Sequence, residues 1–417
     1  MAIEVRNIRS DAEYEEFVHL DGRVFGIHYQ PEDLATLPER LVKDRVVVAL
    51  DHGRIVGGGG VYPMALTLPG GIQVPAAGVS WVSVDATHRR RGVARVVMDL
   101  IHNQSRALGE PAQILTASEG GIYERFGYGV ASHFPAVTID RRNASIRSDA
   151  PSGGRCEFLD HLSLDEKVAL CADTYEQYAR LWSGSVAFIS NARNWWMFFL
   201  GPIGDRVFNG QRHLVAHFDE HGSIDGIVIY RVESNWTERG PDGTAHVWQV
   251  LPLNDIAHAE LWRVVLGIDL ATHVTLRSLA LDDQLRWLLT NARTLETTAV
   301  RDDLWLRPAQ PLELLTKRRY GDEGRLRIAV DQNRYVLDVD GSGIATCETG
   351  QPTTDTNNND NSNDIRMTAV ELGTILLGGT PPSVLARAGR IQGRTSAIQR
   401  ADRLFRHEHL PHLAVAF

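Results

Sequence analysis

The stretch VSWVSVDATHRRRGVARVVMDLIH, residues 79–102, decides how the rest of the chain is read. It reads as the end of a strand, a short loop, the run Arg89-Arg90-Arg91-Gly92-Val93-Ala94, and a helix from about Arg89 to Leu108. Val93, Val96, Val97, Leu100, Ile101 and Leu108 recur at helical spacing, and Gly109 is a natural stop. Such a helix start suits a phosphate-rich ligand, because its first N–H groups have no partner within the helix and its dipole favours negative charge. Gly92 and Ala94 carry no bulky side chain, so a pyrophosphate can approach the main chain. Arg89, Arg90 and Arg91 add charge-assisted bonds to phosphate oxygens. The plain alternative is a solvated basic helix start. The strand before, the small residues at this spacing and the long amphipathic helix after favour the phosphate reading.

Outward from this motif, residues 1–140 alternate between strand and helix patterns. Residues 11–25 have helical spacing with Asp11 as N-cap; 45–50, 54–68 and 71–84 are strands. The four consecutive glycines 57–60 point to a bulge or a close backbone approach. Residues 112–118 and 133–139 are further strands, and the turn-rich stretch 141–155 is a linker. A second series follows, with a helix at 162–182, strands at 213–232 and 246–253, a helix at 255–270 and a strand at 273–279. It repeats the order of 45–118, which suggests a duplicated fold. From about residue 310 the character changes to three helices (311–320, 367–379 and 395–407) around short strands, with a mobile polar loop at 349–364.

The chain of 417 residues carries 43 basic and 52 acidic side chains, for a net charge of -9. That excludes a general nucleic-acid binder, which needs a basic surface. It suits a cationic partner, although the same charge also serves solubility alone. Cys156, Cys171 and Cys347 form no CxxC pair, so neither a zinc site nor a disulfide framework is expected, and no metal is required. No membrane span and no secretory h-region are evident, so a cytoplasmic location is expected.

The spacing Arg89-x-x-Gly92-x-Ala94 after a strand resembles the acetyl-CoA signature of GCN5-related N-acetyltransferases, the GNAT superfamily. With SEGGIYERFGYG (118–129), THRRRG (87–92), LWRVVLGIDL (261–270) and DDLWLRP (302–308), the chain resembles the Eis family of bacterial acetyltransferases over most of its length. The resemblance implies an α/β (α+β) architecture: a catalytic GNAT domain (1–145), a second GNAT-like domain (146–309) and a sterol-carrier-protein-like α+β domain (310–417). It also implies a homohexamer.

For the cofactor, the likeness implies that backbone groups of Trp81, Val82, Ser83 and Val84 bond the pantetheine arm of acetyl-CoA. Arg89, Arg90, Arg91, Gly92, Val93, Ala94 and Arg95 would hold its phosphates, and Ser118 and Glu119 would contact it. Tyr123 is implied as the general acid for the leaving thiolate, with Tyr128 the packing tyrosine. The α-carboxylate of Phe417 is implied as the base. The apolar tail HLAVAF (412–417) suits a buried terminus, and desolvation would have to raise the basicity of a group that is weak in water.

The expected reaction is transfer of acetyl to a primary amine of a polyamine-like small molecule, aminoglycosides among them. Trp195, Trp196 and Phe198 either line that pocket or pack in the core. Ala416 and Asn291 stand where a relative offers an acid, which lowers the charge available to a cation. The rivals are a protein lysine acetyltransferase and a non-catalytic acyl-CoA- or lipid-binding protein.

Overall fold

The computed structural model describes residues 3–30, 33, 34, 37, 41–189, 192–207, 210–350 and 364–417. Its first sheet opens with four antiparallel neighbours: β1 (Glu4–Asn7), β2 (Val46–Asp51), β3 (Arg54–Thr67) and β4 (Gln73–Val84). The strand β5 (Ala112–Thr116) joins β4 in parallel. The sheet continues through Leu304–Pro308 to Gly129–Val130, and Val186–Phe188 pairs with the far end of β3.

Two helices sandwich this sheet, and the four glycines explain how. Side chains alternate across a strand, so Gly57 and Gly59 face one layer and Gly58 and Gly60 the other. A Cβ at Gly57 would lie 2.7 Å from Val93 of helix α2 (Val93–Ala107), and one at Gly58 would lie 2.5 Å from the Phe17 ring of helix α1 (Asp11–Phe25). Only bare backbone lets both helices come this close. The cap of α1 is Ser10, whose Oγ accepts the Glu13 N–H at 3.2 Å, one residue before the expected Asp11. Asp11 instead sits in the first turn, where its charge suits the dipole.

The helix expected from Arg89 begins at Val93, because Gly92 takes the left-handed conformation (φ 83°) and Arg89–Gly92 form a loop. Val93, Val97, Met98 and Ile101 bury its apolar face, whereas Val96 and Leu108, expected on that face, are 39% and 60% exposed.

The second sheet repeats the central arrangement of the first. Gly243–Pro252 and Ala271–Leu276 run parallel, with the helix Asp255–Leu266 between them in sequence. Strands are traded between the two sheets. His133–Asp140, inside the region 1–145, pairs with Ala271–Leu276 and Leu295–Asp302 in the second sheet. Leu304–Pro308, inside 146–309, lies between β5 and Gly129–Val130 in the first. Hydrophobic alternation marks a strand but not its neighbour, so the sequence carried no sign of this exchange.

The third region is a sheet in the order Ala345–Thr349, Asn333–Val339, Gly324–Val330, Ile365–Met367, Gln392–Gly393. The helices Ala369–Ile375 and Thr395–Phe405 accompany it, as does Pro382–Arg387, which was not anticipated. Most of the polar stretch 349–364, expected to be a mobile loop, lies outside the described residues. No described helix is long and apolar enough to cross a membrane.

Candidate active site

The site is built where β4 and β5 part. They pair only at Ala76–Ala112, Ala77–Gln113 and Gly78–Ile114, after which the two strands diverge. On its other edge β4 carries a bulge: Gly58 faces Ser83 and Gly60 faces Ser80, so Trp81 and Val82 oppose a single residue. Trp81 takes φ 59°, a conformation that costs a bulky residue about 1–2 kcal/mol. Its indole Nε1 donates to the Tyr62 hydroxyl at 2.7 Å, and its ring stacks on Tyr29 at 6.1 Å, which holds the strained geometry.

A cleft of about 840 Å³ opens from this split. Val82, Val84, Arg89, Arg90, Gly92, Val93, Ala94, Arg95, Ser118, Glu119 and Tyr123 all line it. Three residues of the expected set do not: Trp81 lines a neighbouring cavity instead, and Ser83 and Arg91 turn away. Ser83 is buried (2% exposed), and Arg91 reaches back to Asp51 at 3.6 Å. Asp51 also receives His88 at 3.1 Å, so the basic loop is anchored to the end of β2. The cleft presents the guanidinium groups of Arg89, Arg90, Arg95 and Arg125 against one carboxylate, Glu119. No atom lies within 4 Å of where a Cβ at Gly92 would sit, so the helix start is open. These features fit a diphosphate.

The equivalent helix of the second sheet does not fit one. Asn254 accepts the Ala257 N–H there at 2.9 Å, and Asp255 adds negative charge in the first turn.

Tyr123 is 7% exposed and packs edge-on to Tyr128 at 6.2 Å. Burial holds its phenol above the ordinary value, against the pull of the Ser118 hydroxyl and helped by the Glu119 charge. Tyr128 is fully buried, and its hydroxyl lies 3.0 Å from His102 Nε2. Its role is packing, as its position in the motif suggested.

A second cavity, of about 550 Å³, lies beside the first, and Phe25 lines both. Its wall includes Tyr29, Tyr62, Trp81, Phe198 and Phe417, with Asp21, Asp33 and Arg206 as its charged side chains besides His28. Arg206 pairs with Asp33. Phe198 thus faces a cavity, whereas Trp196 is wholly buried and Trp195 packs on Phe188 and Phe199. Asn291 caps a turn at Ala292–Thr294 and Ala416 is exposed, and neither lines the cavity.

The tail that ends at Phe417 is threaded through the molecule. His412 N–H donates to Ser183 O at 2.8 Å, Ser185 Oγ donates to His412 O at 2.9 Å, and Leu413, Ala414 and Val415 are buried. The Phe417 ring comes to rest over Gly78, where a Cβ would lie 3.1 Å from it, at the point where β4 and β5 separate.

Sequence reasoning missed Val24 and Phe25, since α1 meets the cleft only through tertiary packing. Ile122, Arg125 and Phe126 were within reach, because they belong to the quoted GGIYERFGYG segment.

A split parallel pair, a left-handed glycine at the following helix and an arginine-lined cleft define a GCN5-related N-acetyltransferase. Residues 4–131 and 187–308 match acetyltransferase (GNAT) domain models, and residues 312–414 match a sterol carrier protein domain. An uncharacterised N-acetyltransferase of Streptomyces avermitilis is 31% identical over the whole of both chains. The N-acetyltransferase Eis of Mycobacterium tuberculosis is 31% identical over 89% of this chain and 88% of its own. The crystal structure of Eis1 from Mycobacterium abscessus superposes with a TM-score of 0.85, at 28% identity, over 99% of this chain and 100% of that one. The chain belongs to the Eis family of N-acetyltransferases, and acetyl-CoA is the acetyl donor that GNAT domains use.

Proposed function

We propose that the protein moves an acetyl group from acetyl-CoA to a primary amine of a polyamine-like small molecule, aminoglycosides among them. The observation that carries this reading is the meeting of two unlike cavities at Phe25, beside the β4–β5 split. One is rich in arginine, and the other is an aromatic box with two carboxyl side chains.

In this reading Arg89, Arg90 and Arg95, with the backbone of Gly92, Val93 and Ala94, hold the phosphates of acetyl-CoA. Arg91 supports the loop through Asp51. Backbone groups of Val82, Ser83 and Val84 bond the pantetheine arm, and Ser118 and Glu119 flank it. The amine nitrogen attacks the thioester carbon, the C–S bond breaks, and Tyr123 protonates the departing sulfur. Burial keeps that phenol protonated and so available as an acid. The α-carboxylate at Phe417 takes the proton lost by the amine. We extend the same reading to a homohexamer and a cytoplasmic location, as the family resemblance implies.

The test is release of free thiol from acetyl-CoA with aminoglycosides, polyamines and lysine peptides, using a chain that ends at Phe417. Release with the small amines supports the reading. Release with lysine peptides alone would replace it with a protein acetyltransferase, and binding of acetyl-CoA without release would replace it with a carrier. A chain extended beyond Phe417 is expected to lose about 100-fold or more in kcat, since small misplacements of a reacting group cost that much.

A further inference from the structure

The aromatic cavity contains a carboxyl group that the reading above does not use. Asp21, on α1, is 3% exposed and lines the cavity. Its Oδ1 is sealed from solvent and accepts no hydrogen bond from the described residues. Its Oδ2 faces the Tyr29 hydroxyl at 3.5 Å. The Ser83 hydroxyl is near but makes no hydrogen bond of normal length to it. A buried carboxylate oxygen without a donor is costly, and native structures keep few of them.

The other carboxyl side chain of this cavity is already engaged. Asp33 pairs with Arg206 and accepts the Gln30 N–H at 2.8 Å. Of the carboxyl side chains in the wall, Asp21 alone lacks a cationic partner; the Phe417 terminus, also in the wall, is the base of the reading above. The rings beside it, Tyr29 stacked on Trp81, present faces that attract a cation.

The position of Asp21 along α1 sets a distance. Phe25, which borders both cavities, is four residues on, which is one helical turn or about 6 Å.

We propose that Asp21 is the counter-ion for a second, non-reacting ammonium group of the acceptor, and that it selects diamines and longer oligoamines over monoamines. The inference rests on the acetyl-transfer reading above and narrows its substrate class. An ammonium brings three donors to the Asp21 carboxyl where it lines the cavity, while its alkyl chain lies against the rings. Burial pushes the Asp21 carboxyl up to about 7, against the pull of the Ser83 and Tyr29 hydroxyls. The cavity thus keeps the group neutral for part of the time when empty of cations, and an arriving ammonium ionises it.

The test uses the full chain and begins with binding alone. Calorimetry without acetyl-CoA compares putrescine with butylamine and aminobutanol, which match its length but carry one charge. Putrescine is expected to bind about tenfold or more tightly than either, as a hydrogen bond to a charged group warrants. Asp21→Asn, and separately Asp21→Ser, should remove that preference. In thiol release both variants should raise the KM for putrescine about tenfold or more, with the KM values for butylamine and acetyl-CoA unchanged. Equal affinity of the unaltered chain for all three amines overturns the proposal without any variant. A putrescine preference that survives in a folded variant also overturns it. A preference that depends on Asp21 in a chain releasing no thiol with any amine supports Asp21 and counts against the transfer reading.

Discussion

Thr116 Oγ1 donates a hydrogen bond of 3.3 Å to the main-chain oxygen of Phe417, part of the terminal carboxylate proposed as the base, which lies 301 positions further along the chain. The strand that swings away from β4 therefore holds the end of the tail at the mouth of the split. Thr116→Val keeps the shape and removes the donor. A hydrogen bond to a charged group is worth about 1.5–3 kcal/mol, so kcat should fall about 10- to 100-fold. The KM for acetyl-CoA should stay the same, since Thr116 does not line the arginine-rich cleft. Steady-state thiol release measures both, and an unchanged kcat would show that the tether has no part in turnover.

Tyr123→Phe removes the proton donor and leaves the ring contacts with Tyr128 and Trp305. A fall of about 10²–10⁴ in kcat is expected, with little change in melting temperature. Because burial raises the Tyr123 phenol above its ordinary value of 10.0, its acid form persists through neutral and mildly alkaline pH. Any loss of rate from its ionisation should have its midpoint above pH 10.0, and an alkaline limb centred below that must come from another group.

Gly92 holds φ 83°, a conformation that costs a residue with a Cβ about 1–2 kcal/mol. Gly92→Ala should lower stability by that amount and tilt the first N–H groups of α2, raising the KM for acetyl-CoA. Arg89→Gln and Arg90→Gln should each raise that KM about 10- to 100-fold, as expected for a bond to a charged group. The difference from the unaltered chain should shrink in high salt, which screens exposed charges. Equal KM values at low salt would remove both arginines from the phosphate site.

His102 is buried against Tyr128, and burial holds its imidazole down at about 3, with Arg307 and Arg106 adding to the effect. The unfolded chain takes up this proton near 6.5 and the folded chain does not. The stabilising contribution is therefore complete above pH 6.5 and is lost as pH falls toward 3, at no more than about 1.4 kcal/mol per pH unit. Urea unfolding between pH 7 and pH 4 should be less steep in His102→Asn, which has no group to titrate there.

What could be read beforehand was local. The Arg89–Ala94 run announced an anion site because its chemistry lies in adjacent residues, and the GGIYERFGYG segment announced Tyr123 for the same reason. Asp21 was invisible as a site residue. In sequence it is one acidic residue among several on a helix, and only burial and the bulge at Trp81 give it meaning. The Gly57–Gly60 run was read as a bulge or a close approach, but its two-sided use needed the packing of α1 and α2. Arg91 looked equivalent to its neighbours until Asp51 was found to hold it.

The traded strands have a consequence for how the protein is made. On the ribosome, β5 leaves the exit tunnel with no partner on its outer side. The segment that will cover it, Leu304–Pro308, is translated about 10–40 s later at ordinary elongation rates of about 5–20 residues per second. Until then the nascent chain carries an unpaired edge, a surface prone to join with other strands. The first catalytic half therefore cannot mature as it emerges. It waits, incomplete, for the second half to be synthesised and to hand back its last strand.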